Sequence, residues 1–205
     1  MDEKMTWYIL RHAEKERGEY YNPNLRHQDE PINRTGLEHA ERLIEYFVDK
    51  EISKIYISAY LRTKQTSAPL ARHFNLVPVV DERLNEVDNG LFEGMTEEDV
   101  KQKYPGEWQA YRKRRADFRF PGGETGEEAR DRIANFLDEK CEPHGDENIV
   151  IVSHDGLIRV MMCHLMKLPV TNRWDFRVDF CGITEISYQP DYGTWKLIRF
   201  NQIFG

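Results

Sequence analysis

The chain has little cysteine, no long apolar run and no excess of positive charge. Its three cysteines, Cys141, Cys163 and Cys181, are odd in number and lack CxxC spacing. That pattern reads as reduced thiols inside helices or strands rather than a disulfide framework or a metal clamp. No apolar stretch approaches the ~20 residues needed to span a bilayer, and the opening Met1-Asp2-Glu3-Lys4 carries no apolar signal region. The expectation is a cytoplasmic protein with no membrane partner. Lys and Arg total 29 against 36 Asp and Glu, a formal net charge of −7. General binding to nucleic acid or to an anionic membrane draws on positive surface charge, so neither fits this chain. An anionic ligand would have to find a local basic pocket. Metal-ligand spacing such as HExxH is also missing. His27, His39, His73, His144 and His164 therefore read as solvated or packed side chains, and no metal or other cofactor is expected.

What remains is enough for one domain, residues 1–205, with a sizeable core. Apolar residues arrive in clustered runs, which argues against disorder although 32% of the chain is charged. Met5 to Leu10 reads as a strand, followed by a long polar stretch to Arg34 of the sort that is usually functional or mobile. Thr35, with Glu38 as a capping-box partner, predicts a helix to about Lys50. Strands are expected at 55–57, 77–80 and 148–152, and helices at 62–74, 125–141 and 157–167. A compact helical insert is expected at about 96–120, broken at Pro105-Gly106. The runs 180–188 and 194–200, joined by Gln189-Pro190-Asp191-Tyr192-Gly193, predict a hairpin. Alternating strands and helices predict an α/β fold with a mostly parallel central sheet covered on both faces.

Two segments repeat one arrangement. Leu10-Arg11-His12-Ala13-Glu14 ends an apolar strand in a histidine, and Ile149 to Gly156 does the same with His154. If the two strands are parallel neighbours, both histidines stand in the crevice at the carboxyl ends, where such sheets bind ligands. A neutral imidazole there is a nucleophile or base, and Arg11 beside it is a fixed fork for phosphate or carboxylate. Ser58 to Thr66 follows another strand and opens a helix, bringing Arg62 to the same edge. Leu84 to Gly94 then brings Glu86 in a glycine-punctuated loop. Taken singly, each has an ordinary explanation: a hydrogen-bonded histidine, a helix-surface arginine, a loop acid. Together they point to phosphoryl chemistry without a metal.

These pieces, LRHAE at 10–14, SAYLRTKQT at 58–66, LNEVDNGLFEG at 84–94, PGGET at 121–125 and VSHDG at 152–156, resemble the histidine phosphatase superfamily, which includes the phosphoglycerate mutases. They occur in the family's order and span most of the chain. Ala13 stands where the family often has glycine, and Asp155 intervenes before the glycine after the second histidine; neither removes a catalytic group. The resemblance implies a three-layer αβα, phosphoglycerate mutase-like fold. It implies that His12 is a nucleophile forming a phosphohistidine, that Arg11, Arg62 and His154 surround the phosphoryl group, and that Glu86 is the proton donor. Guanidinium groups keep a histidine neutral and hold the phosphoryl oxygens. The expected activity is metal-independent hydrolysis of a small phosphorylated metabolite. The runner-up is mutase-type phosphoryl transfer, and a third reading is a non-catalytic phospho-ligand binder, which would be expected to lose His12 or Glu86. Glu14 and Glu93 lie inside motifs with loop organisation as a competing role. Arg112-Lys113-Arg114-Arg115 with Arg119 is either the rim of an anion pocket or a charged helix face. Asn22, Asn24 and Asn33 are candidate substrate contacts, and the aromatic-rich C-terminal hairpin is a candidate homodimer surface.

Overall fold

The computed structural model describes residues 5–141 and 147–204; Met1 to Lys4 and His144 lie outside the described residues. Its strands are β1 (Thr6–Arg11), β2 (Ile52–Ile57), β3 (Val79–Val80), β4 (Asn148–Ser153), β5 (Ile183–Gln189) and β6 (Thr194–Gln202). Its helices are α1 (Arg34–Phe47), α2 (Leu61–Phe74), α3 (Glu97–Lys103), α4 (Pro105–Lys113), α5 (Gly126–Cys141) and α6 (Asp155–Leu165). The strands form one sheet in the order β3-β2-β4-β1-β5-β6. The first four in that order are parallel, while β5 runs antiparallel to β1 and β6 antiparallel to β5.

Successive side chains of a strand face opposite ways, and β1 and β4 are apolar at every interior position. Trp7 and Ile9 join Ile149 and Ile151 on one face, packed with Ile133 and Phe136 of α5 and Leu157 and Met161 of α6. Tyr8 and Leu10 join Val150 and Val152 on the other, against Ala40, Leu43 and Phe47 of α1 and Leu70 of α2. Both faces are therefore covered, giving the three αβα layers. Fully burying one such Leu, Ile or Phe side chain is worth about 1.5–3 kcal/mol, so these two clusters hold the helices on the sheet.

Several boundaries differ from the sequence expectation, each for a local reason. Helix α1 is capped by Asn33, whose Oδ1 accepts from Gly36 N at 2.8 Å, and not by Thr35. Asn33 N in turn donates to Glu14 O at 2.9 Å, which ties the strand-end loop to the helix start. A Cβ on Gly36 would fall 2.2 Å from Glu14 O, so only glycine permits this approach. The helix stops at Phe47, and Leu37, expected on its apolar face, is exposed. Strand β3 shrinks to two exposed residues at the sheet edge. Helix α6 begins at Asp155 rather than Leu157, because its first-turn N–H groups have found a partner outside the helix. The last helix of the insert begins at Pro105, where the ring suits a first helical position, and ends at Lys113 rather than Ala116. Helix α3 has the full capping box between Thr96 and Asp99.

Candidate active site

Parallel pairing of β1 with β4 sets Arg11 opposite Ser153, so the next residues, His12 and His154, emerge side by side. His12 N donates to Ser153 O at 2.9 Å, and the two imidazole centroids lie 5.2 Å apart. Both rings are buried. The His12 Nδ1–H donates to the carbonyl of Ala13 at 2.8 Å, which leaves the lone pair on Nε2. Burial pushes His12 well below the ordinary histidine value, and the Arg62 cation adds to this. His154 is likewise held neutral by burial, with Arg62 again the next influence. Its Nδ1 accepts from Arg62 Nε at 3.3 Å, so Nε2 carries the proton and donates to Ser58 Oγ at 2.7 Å. A neutral His154 thus orients Arg62 as well as facing His12.

Arg62 lies in the first turn of α2, as the strand-then-helix pattern predicts, and is 4% exposed. Its Nη1 donates to Gln28 O at 2.9 Å and meets Glu30 Oε2 at 3.4 Å. Its guanidinium stacks on Tyr60, 4.3 Å from the ring centroid. Glu30 is itself buried and bound by Lys15 Nζ at 2.5 Å. The long polar stretch 11–34 is therefore anchored by the site rather than loose, with Leu61 N donating to Asp29 Oδ1 at 2.7 Å. Arg11 Nη1 donates to Val178 O at 2.7 Å, and its guanidinium lies over Phe180 at 4.0 Å. Among the described residues, Arg11 Nε is buried without a hydrogen-bond partner. A buried unpaired donor is costly, and here it belongs to a cation beside the two histidines. Burial lowers Arg11 from its ordinary value while Asp155 opposes, yet a guanidinium stays charged at neutral pH.

Glu86 reaches the same edge from the loop after β3. Its carboxylate accepts from Val87 N at 2.9 Å, Gly156 N at 3.2 Å and Leu157 N at 3.0 Å. These are the partners that start α6 early, since a carboxylate at a helix N-terminus satisfies free N–H groups and matches the helix dipole. A Cβ on Gly156 would meet Glu86 Oε1 at 2.7 Å, so the glycine of VSHDG is what lets the acid approach. The Glu86 loop is braced by PGGET. Asp88 N donates to Glu124 Oε1 at 2.9 Å and Glu124 N to Asp88 O at 3.0 Å. Arg132 of α5 closes the brace, bonding Glu124 at 3.1 and 2.7 Å and the carbonyls of Arg83 at 2.6 Å and Glu86 at 3.2 Å.

The five residues singled out from sequence, Arg11, His12, Arg62, Glu86 and His154, are thus brought to one sheet edge. Of the remaining candidates, Asn24 lines a cavity together with Glu86, and others have partners of their own. Glu93 forms an ion pair with His27 at 2.7 Å, a loop-organising role. Asn33 is a helix cap, and Asn22 bonds Asp29 at 3.0 Å. Residues 112–115 are exposed, with Arg112 over the Trp108 ring at 5.7 Å and Arg114 over the Trp174 ring at 4.5 Å, and Arg119 pairs with Glu128. His39 and His73 are exposed. Sequence reasoning missed Ser58, Glu30 and Arg132, which act by gripping other site residues. Ser58 stood within a quoted motif, but nothing local marks Glu30 or Arg132, whose partners are distant in the chain. The cysteines are free thiols, and burial raises Cys163 to about 11 and Cys181 to about 12. Among the described residues, no group of three or more His, Cys, Asp or Glu is arranged to hold a metal. No described helix is long and apolar enough to cross a membrane.

Comparison with known proteins agrees with this geometry. The model of the histidine phosphatase superfamily (branch 1) matches residues 7–202, and the chain belongs to that superfamily. Phosphoserine phosphatase 1 of Hydrogenobacter thermophilus is 30% identical over 174 residues, covering 83% of this chain and 81% of its own. The structure of mycobacterial glucosyl-3-phosphoglycerate phosphatase with inorganic phosphate superposes with a TM-score of 0.81 at 25% identity, covering 97% of each chain. The α-ribazole phosphatase of Shigella flexneri shares the fold, with a TM-score of 0.83 at 23% identity over 97% of this chain and 96% of that one.

Proposed function

We propose that this histidine phosphatase hydrolyses the phosphate monoester of a small metabolite through a phosphohistidine on His12. The observation that carries the reading is the fixed tautomer. With Nδ1–H donated to Ala13 O and cationic Arg62 nearby, His12 presents a neutral Nε2 at the pocket floor. Nε2 attacks phosphorus as the bond to the ester oxygen breaks. Glu86 gives its proton to the departing oxygen, and the Ala13 carbonyl steadies the imidazolium that forms. Arg11 and Arg62 hold the equatorial oxygens, so fixed cations supply the charge stabilisation that a divalent ion would otherwise give. Water then attacks phosphorus and the P–N bond breaks. Glu86 takes the water's proton, and inorganic phosphate leaves. The three N–H groups on Glu86 fix the position of its carboxyl group for both steps. The names of the relatives, phosphoserine and glucosyl-3-phosphoglycerate phosphatases, support hydrolysis over mutase transfer.

Rapid acid-free quenching with ³²P-labelled ester tests this. Label on the wild-type chain that is acid-labile and absent from His12→Ala is expected. Label retained by the variant would transfer the nucleophile's role elsewhere. Turnover should also persist in excess chelator, and its loss with recovery on adding a divalent ion would defeat a cation cage built from arginine.

A further inference from the structure

Beside Glu86, and sharing Asp155 and Gly156 with the catalytic edge, lies a cavity of about 390 Å³. Its walls are aromatic: Phe92 and Phe120 from the two sides of the Glu86 brace, Trp108 and Tyr111 from α4, and Trp174 from the turn after α6. These rings support one another, with Tyr111 5.3 Å from Trp174 and 5.7 Å from Trp108, and Phe92 5.7 Å from Phe120, between centroids. Val100 and Met95 add aliphatic surface.

The charged groups of this cavity decide what it can hold. Arg159 is paired twice with Asp155, at 2.7 and 3.0 Å. Arg173 is buried against Asp117 at 2.8 Å, and Glu97 meets Lys101 at 2.9 Å. Each charge on the wall except Glu86 is thus neutralised by a neighbour. A second phosphate or a carboxylate on the substrate would need a cation of its own in this space; every cation among the described residues lining the cavity is already paired, and Arg112 and Arg114 nearby are engaged with the Trp108 and Trp174 rings at 5.7 and 4.5 Å. A flat apolar group would instead bury its surface against the rings without displacing any ion pair.

Resting on the phosphatase reading above, we infer that this aromatic cavity binds the leaving group, and that the preferred substrates are monoesters of alcohols bearing a neutral aromatic ring system. Bisphosphates and phosphorylated acids are the poorer class. The cavity's place next to Glu86 sets the alcohol oxygen near its proton donor while the ring lies under α4. It also opposes mutase chemistry on a phosphoglycerate-like acid, which needs a binding cation at the far end of the substrate.

Two esters with leaving alkoxides of similar basicity, ethyl phosphate and 2-(1-naphthyl)ethyl phosphate, isolate binding from leaving ability. The naphthyl ester should have the higher kcat/KM by roughly tenfold to a hundredfold. Trp108→Ala and Trp174→Ala should remove most of that advantage while leaving ethyl phosphate within about twofold, and Trp108→Phe should restore much of it. Equal kcat/KM for the two esters, or a preference that survives both alanine variants, would overturn the assignment. So would faster turnover of 3-phosphoglycerate than of the naphthyl ester. The product alcohol, 2-(1-naphthyl)ethanol, gives a readout independent of turnover: it should saturably perturb tryptophan fluorescence in wild type and much less in Trp174→Ala. An enzyme that turns over no ester but binds the alcohol would sink the phosphatase reading and leave the cavity's ligand class standing. One that cleaves esters without binding the alcohol would do the reverse.

Discussion

The two halves of the proposed substrate pocket are built on different principles. Where the phosphoryl group would sit, every side chain is fixed by backbone or by a buried polar partner: His12 by Ala13 O, Arg62 by Gln28 O, Glu86 by the first turn of α6. Where the leaving group would sit, the walls are rings holding other rings, two from α4 and the others from the loops at Phe92 and Phe120 and the turn at Trp174. Directional bonds place atoms to a few tenths of an ångström, which nucleophilic attack requires. Ring packing fixes shape and polarity but tolerates exchange. Chemistry and specificity are therefore separable by mutation, and the difference between the halves can be broken from either side.

The largest effect is expected at the phosphoryl half. His12→Ala should abolish turnover and covalent labelling while the melting temperature moves by only a few degrees, because the ring belongs to neither apolar cluster. Calorimetry beside a turnover assay checks both parts; unfolding at room temperature would make His12 a core residue first. Next comes Glu86→Gln. General acid catalysis is worth ~10²- to 10⁴-fold, so an alkyl phosphate should lose much of that factor. An aryl phosphate with an acidic phenol should lose far less in the step that phosphorylates His12. Pre-steady-state rates with both esters decide, and an equal loss would make Glu86 a positioning residue.

The phosphoryl half is also the half that was legible in the sequence. His12, Arg62 and His154 each follow a β-strand, so strand ends and a parallel sheet suffice to bring them together. Glu86 was found through a motif, but its seat was not: period-counting started α6 at Leu157, where apolar spacing begins, because a helix start supplied by a residue 70 positions earlier leaves no local trace. The same reason hides Glu30 and Arg132. Thr35 looked like the cap of α1 on local rules, yet Asn33 won because Glu14 O and Gly36 fix the chain there. The aromatic half was read only as a compact helical insert, since Phe92 and Trp174 meet Tyr111 from distant segments and no period relates them.

Gly156→Ala probes the seam between the halves. The added methyl would stand 2.7 Å from Glu86 Oε1, forcing the carboxylate to shift. A misplacement of about 1 Å can cost as much as 10²-fold, so alkyl esters should slow by about tenfold or more, with aryl esters less affected. Steady-state kinetics on the two ester types checks this; equal slowing would mean that the helix start moved rather than the acid.

The smallest effects are in pH dependence, where the histidines pull in opposite directions. His12 and His154 lie well below the ordinary value, burial and the Arg62 cation being the causes. Their stability contribution is fully present above the unfolded value of about 6.5 and is lost as pH falls toward the folded values. His27 behaves in reverse. Burial opposes its charging, but the hydrogen bond and charge of Glu93 at 2.7 Å prevail and raise it. That contribution is full below about 6.5 and fades as pH rises through the folded value. Subtracting the stability of His27→Gln from that of wild type cancels the other two histidines. The difference should be about 1 kcal/mol near pH 6 and shrink steadily toward pH 9. Urea melts at stepped pH measure it. A difference that is flat, or that grows with pH, would mean that His27 is neutral in the folded chain and that Glu93 is held by some other partner.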